Sequence, residues 1–262
     1  MIFPAMKNAI AKILPIVVGV ALGWLMFHPP AWLAPLGALR FFIMIALALV
    51  LLVVFIAFSI GASLPAEIGV SPQRVAVDPS LNDLIRQIKD LGFAEAGGPY
   101  RVEVRPAAIM IAFVHPGQSV YATIFRTGTV PAVTSYDFVS IIEGFRGGLT
   151  TSADWRGGTL PAGPGAFRQI IKDAGPRRVY DAHLEGLRWL SARGLPVQAV
   201  SATSFVADFK RALGKQREAF RSSPLKNALI ALGRTVSKQV PHIGPLSAQK
   251  GAEAQVRALW TR

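Results

Sequence analysis

Cysteine is absent from this 262-residue sequence, and charged residues are scarce at 16%. Without cysteine the chain can form no disulfide scaffold, no cysteine-ligated zinc or iron–sulfur site and no thiol nucleophile. Among the charged residues, the 15 Asp plus Glu are outnumbered by 28 Lys plus Arg, which gives a net charge of +13. Hydrophobic residues make up 52% of the chain, which excludes a disordered protein. The composition to be explained is therefore both apolar and basic.

Charge is missing altogether from one run of 21 residues, Phe41 to Gly61. Such a run is long enough for a helix that crosses a hydrocarbon core of about 30 Å. A weaker apolar run, residues 10–27, contains Lys12 and Pro15. The alternative for this run is a signal peptide, but no small-residue cleavage pattern follows it. The sequence predicts a two-helix transmembrane hairpin within residues 1–62, with helices at about 10–27 and 41–61.

Basic residues flank this predicted hairpin unevenly. Lys7 and Lys12 lie near its first helix and Arg74 and Arg86 follow its second, whereas the connecting turn contains only Arg40. Lysine and arginine are enriched in cytoplasmic loops. We therefore expect a two-pass protein of the inner membrane, with both termini and the following domain on the cytoplasmic side.

An α+β pattern follows a linker at residues 63–78. Apolar residues recur at spacings of three and four between Leu81 and Leu91, which predicts a helix, and alternation over residues 100–105 predicts a half-buried strand. Further strands are predicted at Ala108–Val114, Ser119–Phe125, Val133–Ile142 and Leu149–Ser152, and further helices at Phe167–Ala174 and Tyr180–Leu190. Short connections favour antiparallel pairing. The predicted fold class is a membrane-anchored α+β protein, in which an antiparallel sheet of four or five strands within residues 79–200 is covered by helices.

The last part of the chain, residues 201–262, is predicted to be a helical basic tail. It contains eleven Lys plus Arg against three acidic residues. An amphipathic helix at Thr203–Arg221 has three interpretations: packing on the domain with a solvated basic face, contact with anionic lipid headgroups, or contact with an acidic protein. The candidate contact residues are Lys210, Arg211, Lys215, Arg217 and Arg221.

Catalytic and ligand-binding patterns are few. The best candidate for a small site is the polar edge formed by Thr151, Ser152, Asp154 and Arg156 together with His183, because loops at strand ends commonly carry function. Metal-binding histidine pairs and a hydrolase nucleophile elbow are absent from the sequence, so we predict no metal or other cofactor. For His183 a structural role and a catalytic role both stay open, since a catalytic histidine needs a positioned partner.

These observations favour a membrane-tethered binding or scaffold module over an enzyme. Its expected partners are the lipid bilayer and, through the basic tail, anionic headgroups or an acidic protein. One alternative is a membrane-bound hydrolase or transferase that uses His183 with Asp154 or Asp181. Another is a homo-oligomer or an accessory subunit of a membrane complex, in which Gly19 and Gly23 would allow close helix packing. The basic charge is not accompanied by a nucleic-acid reader motif, so nucleic-acid binding is not favoured.

Overall fold

An eight-stranded sheet organises the part of the chain that this computed structural model describes. The structure describes residues 39, 42–43, 45–47, 49–51, 69–73, 78–103, 108–128, 132–154, 162–163, 165–237 and 242–260. The strands are β1 (Val70–Pro72), β2 (Ala94–Glu95), β3 (Tyr100–Val102), β4 (Ala108–His115), β5 (Val120–Thr127), β6 (Thr134–Ile142), β7 (Gly147–Ser152) and β8 (Ala166–Ile170). The helices are α1 (Asn82–Lys89), α2 (Pro176–Ser191), α3 (Phe205–Arg221), α4 (Pro224–Ser237) and α5 (Ala252–Trp260).

The strand order across the sheet is β1-β3-β4-β5-β6-β7-β8, and β2 adds a second, short pairing to β4. Neighbouring strands are antiparallel from β1 to β7, whereas β7 and β8 are parallel. The prediction of an antiparallel sheet of four or five strands is therefore wrong. The glycine- and proline-rich connection between β7 and β8 provides about a dozen residues, which is the length that a parallel crossover requires.

Strand β8 occupies part of the segment for which the sequence predicted the helix Phe167–Ala174. Phe167, Ile170 and Ile171 have helical spacing, but so short an apolar segment also fits a buried strand. In the structure Phe167 faces one side of the sheet, and Arg168 and Ile170 line the other. The predictions of a helix after Pro79, of β3 to β7 and of helices in the α2 and α3 regions are confirmed.

Helices cover both faces of the sheet. On the first face α1 and α2 bury an apolar core, in which Ile88, Phe138, Phe167 and Leu190 are almost completely inaccessible to solvent. Leu246 and the start of α5 complete this core. The predicted α+β class is thus present, with helices that include the basic region after residue 200.

On the second face, α3 lies against the sheet through aromatic contacts. Phe205 is 2% exposed, and its ring centroid lies 5.1 Å from that of Tyr121 and 5.8 Å from that of Phe209. Phe209 in turn lies 6.0 Å from Phe125 of β5. Apolar residues of α3 are therefore used for packing within the fold.

The predicted transmembrane hairpin requires a correction. Among the residues that the structure describes, no helix combines the length and the apolarity that a membrane span needs. This finding overturns the predictions of a two-helix anchor and of a two-pass inner-membrane location, which rested on hydropathy and on the distribution of Lys and Arg. The first predicted helix, 10–27, lies outside the described residues, and of the second, 41–61, only residues 42–43, 45–47 and 49–51 are described and helical.

Two glycines offer a matched test of the β7–β8 junction. A Cβ atom on Gly147 would lie 2.0 Å from the carbonyl oxygen of Gly165, a backbone atom that cannot move aside, whereas a Cβ atom on Gly214 of α3 would meet nothing within 4 Å. We expect Gly147→Ala to lower the free energy of unfolding by about 2 kcal/mol or more. Gly214→Ala should raise it by about 0.5–1 kcal/mol, because glycine is unfavourable inside a helix. Urea denaturation of both variants measures the contrast, and equal effects would contradict the described junction.

Candidate functional site

The predicted small site at the end of β7 is divided between the two faces of the sheet. Thr151 points to the first face and contacts His183, whereas Ser152 lines the opposite face. The backbone N–H of Asp154 donates a hydrogen bond to Ser152 Oγ at 3.0 Å. Arg156 lies outside the described residues. The structure therefore brings Thr151 and His183 together but separates this pair from Ser152.

His183 is the centre of a buried polar network beneath α2. Its Nδ1 lies 2.9 Å from Thr151 Oγ1, and its Nε2 lies 3.0 Å from Ser140 Oγ. Gln169 Nε2 donates to Thr151 Oγ1 at 2.9 Å, and Ser140 Oγ donates to the carbonyl of Ser119 at 2.9 Å. These directions assign the proton of the neutral imidazole to Nε2, because each hydroxyl can then both donate and accept one bond.

This environment gives His183 the properties of a structural histidine. The residue is 0% exposed, and burial lowers its pKa from 6.5 to about 3. Its ring nitrogens are bonded to two hydroxyls, and no carboxylate among the described residues is hydrogen-bonded to it. The geometry does not favour a hydrolase or transferase in which Asp154 or Asp181 would orient His183.

The predicted basic contact residues lie along α3 in different surroundings. Lys210, Arg211 and Arg221 are exposed, and the Arg211 guanidinium lies 4.0 Å from the centre of the Phe145 ring. Lys215 Nζ donates a hydrogen bond to the carbonyl of Phe145. Arg217 is half-buried. The five residues do not converge on one site, and two of them help to hold α3 against the turn that follows β6.

A cavity of about 1010 Å³ lies between the second face of the sheet and α3. Its floor is formed by residues of β5, β6, β7 and β8, and α3 forms the opposite wall. Most of the wall is apolar. The apolar lining side chains include Phe125, Val139, Ile141, Phe145, Ile170, Phe205, Phe209, Leu213, Leu259 and Trp260.

Polar side chains form a row across the floor of this cavity. Thr123 of β5 is directly opposite Asp137 of β6, and Asp137 is directly opposite Ser152 of β7. Thr123 is 3% exposed, and its Oγ1 has no hydrogen-bond partner. Each buried hydroxyl without a partner costs free energy. The cavity floor therefore contains an unsatisfied polar atom next to a carboxylate.

The surroundings of Asp137 shift the pKa of its carboxyl group. Burial is the main influence and raises the pKa of Asp137 from 3.8 to about 6, and Asp154 acts in the same direction. A hydrogen bond from Ser152 and attraction to Arg168 act in the opposite direction. Burial also lowers the pKa of Arg168, and the nearby Arg234 adds to this effect. Strongly perturbed groups that line one cavity are typical of functional sites.

Sequence reasoning did not select Thr123, Asp137 or Arg168. One signal was present, since Asp137 and Arg168 are each the single charged residue within an otherwise uncharged strand segment. The face to which each strand residue points depends on register, and their convergence on one cavity depends on the position of α3. Ser152 is the member of this row that the sequence predicts as a site residue.

Comparisons with known proteins do not assign this chain to a family. No protein-family model, no curated protein and no solved structure matches it. Among the described residues, no group of three or more His, Asp or Glu side chains is arranged to hold a metal ion. The functional conclusion therefore depends on the geometry of the cavity.

Proposed function

We propose that this protein binds a small organic molecule in the cavity between the sheet and α3. The observation that carries the proposal is the cavity itself, whose volume of about 1010 Å³ is at the upper end of the range for ligand pockets, about 300–1,000 Å³. Apolar walls with a few convergent polar groups are the usual composition of such sites. Here those polar groups are Thr123, Asp137 and Ser152 on the floor.

This proposal keeps the binding role that the sequence favoured and places it inside the fold. Docking through the exposed basic face of α3 has less geometric support, because the candidate basic residues do not converge. Catalysis by His183 also has less support, because the imidazole is completely buried and hydrogen-bonded on both sides. The cavity, in contrast, is lined by the partly accessible Asp137 and by the buried Thr123 and Ser152, together with a large apolar surface.

The test is binding of an uncharged fluorescent probe, N-phenyl-1-naphthylamine, to the cavity. The full chain should bind the probe with a rise in fluorescence. Thr150→Trp should lower the affinity by about tenfold or more, because Thr150 lines the floor and the indole would fill the space that the probe needs. Ala212→Trp places the same obstruction on the opposite wall, since Ala212 of α3 also lines the cavity.

Two matched variants serve as controls. Thr134→Trp, at an exposed position of β6, and Ala207→Trp, at an exposed position of α3, carry the same substitutions outside the cavity lining. Both should bind the probe as the unmodified chain does. Absence of probe binding, or equal losses in lining and control variants that remain folded by circular dichroism, would overturn the proposed function.

A further inference from the structure

The polar row on the cavity floor has acceptor groups that one ligand group can satisfy together. Directly opposed side chains on neighbouring antiparallel strands have Cβ atoms about 4.5–5.5 Å apart. Thr123, Asp137 and Ser152 are opposed in this way and line the same cavity. A hydroxyl oxygen, a carboxylate and a second hydroxyl oxygen are thus placed side by side on the floor.

Two observations indicate a missing hydrogen-bond donor at this row, even though the charge of Arg168 attracts Asp137. Asp137 makes no ion pair within the described part of the chain, and burial raises its pKa even though a hydrogen bond from Ser152 and attraction to Arg168 favour the charged form. Independently, Thr123 Oγ1 is buried without a partner beside it. A primary ammonium group has three N–H donors, so it can donate to the carboxylate and to the Thr123 hydroxyl at once.

The remainder of the cavity suits an apolar body attached to that group. Phe125 lies on the floor in the same strand as Thr123, and Phe209 and Leu213 face it from α3. Two acidic side chains of α3, Asp208 and Glu218, also line the cavity. A ligand anion at the polar row would instead bring a second negative charge close to Asp137, which low local dielectric makes unfavourable.

We propose that the cavity binds an apolar primary amine, whose ammonium group is held by Asp137 and Thr123 and whose hydrocarbon part packs against Phe125, Phe209 and Leu213. The inference rests on the proposed function and adds the chemical class of the ligand to it. An apolar carboxylate bound through Arg168 is the competing ligand class, and the experiment distinguishes the two.

The experiment compares three probes of equal chain length by isothermal titration calorimetry with the full chain: octylamine, octanol and octanoate. At about pH 7.5 the amine and the Asp137 carboxyl are both charged. We expect octylamine to bind about tenfold or more tightly than octanol, because a charge-assisted hydrogen bond is the added interaction. Octanoate should bind more weakly than octylamine.

Substitutions then test whether the preference for octylamine over octanol comes from the polar row. Asp137→Asn should lower the affinity for octylamine by about tenfold and leave that for octanol unchanged. Thr123→Val should lower the octylamine affinity by about threefold, because a single neutral hydrogen bond is lost. Asp181→Asn removes one negative charge from an exposed residue of α2 that does not line the cavity and should change neither affinity.

The outcomes separate this inference from the proposed function. If octanol and the fluorescent probe bind but octylamine gains nothing over octanol, the ligand class is wrong and the cavity remains a binding site. Tighter binding of octanoate than of octylamine would also show that the ligand class is wrong, and it would favour an apolar carboxylate bound through Arg168. If none of the probes binds, the proposed function and the inference fail together.

Discussion

Replacement of His183 by alanine should lower the free energy of unfolding by about 3 kcal/mol or more. The substitution leaves a cavity under α2 and removes one hydrogen bond each from the buried hydroxyls of Ser140 and Thr151. Thr151 also accepts from Gln169, whose Oε1 accepts from the backbone N–H of Leu246 at 2.6 Å. The network thus connects three strands, α2 and the turn before α5.

Urea denaturation measures this effect, and Glu185→Ala is the matched control. Glu185 lies on α2 two positions after His183 and is exposed, so its loss should change the free energy of unfolding by no more than about 0.5 kcal/mol. A His183→Ala variant as stable as this control would show that the network does not stabilise the fold.

The pH dependence of stability follows from the same histidine. The folded-state pKa of His183 is lowered to about 3, so between that value and about 6.5 the unfolded chain binds a proton that the folded chain excludes. Its contribution to stability is complete above pH 6.5 and is lost as the pH falls, by about 1.4 kcal/mol per pH unit. Between pH 3.8 and about 6 the contribution of Asp137 to stability has the opposite sign, because its folded-state pKa is raised. The loss due to His183 is therefore measured most clearly in the Asp137→Asn variant, which lacks this opposing effect.

Asp137→Asn is the second substitution with a large expected effect, and it should stabilise the protein. Because burial raises the folded-state pKa of Asp137 from 3.8 to about 6, the charged carboxylate costs the folded state about 3 kcal/mol above pH 6. Asparagine removes that cost. The gain should be complete above pH 6, decrease as the pH falls from about 6 to 3.8, and vanish below.

Urea denaturation of Asp137→Asn over this pH range tests the sign. Asp181→Asn, at an exposed position of α2, should leave stability unchanged. A destabilised Asp137→Asn variant, or an effect that does not vary with pH, would contradict the burial of an insufficiently stabilised carboxylate. A residue that lowers stability and lines a cavity is consistent with a binding role, because functional sites commonly carry such costs.

The extent to which the sequence predicts this fold depends on how much each segment relies on distant contacts. Strand β3 alternates buried and exposed residues, and α3 places Phe205 and Phe220 on a buried face; both elements follow from local periodicity. Strand β8 does not, because Phe167 and Ile170 fit helical spacing as well. Its pairing with β7 through a parallel crossover decides between the two.

Apolar content also predicted membrane spans that the described helices do not show. The run from residue 41 to 61 meets the length and charge criteria for a span, yet the described helices include none able to cross a membrane. The candidate site shows the same limit. The sequence selected Ser152 and His183 as neighbours of one site, but strand alternation places Thr151 and Ser152 on opposite faces, and α3 closes the cavity over the face that contains Ser152.

Chemical-shift mapping with octanol tests whether the cavity between the sheet and α3 binds a ligand. In ¹H–¹⁵N spectra of the full chain, octanol should shift the backbone amides around Thr123, Asp137 and Thr150 on the floor and those around Phe209 and Leu213 of α3. Amides around His183 on the other side of the sheet should change little. Shifts confined to α1 and α2, or no localised shifts at saturating octanol, would contradict the account.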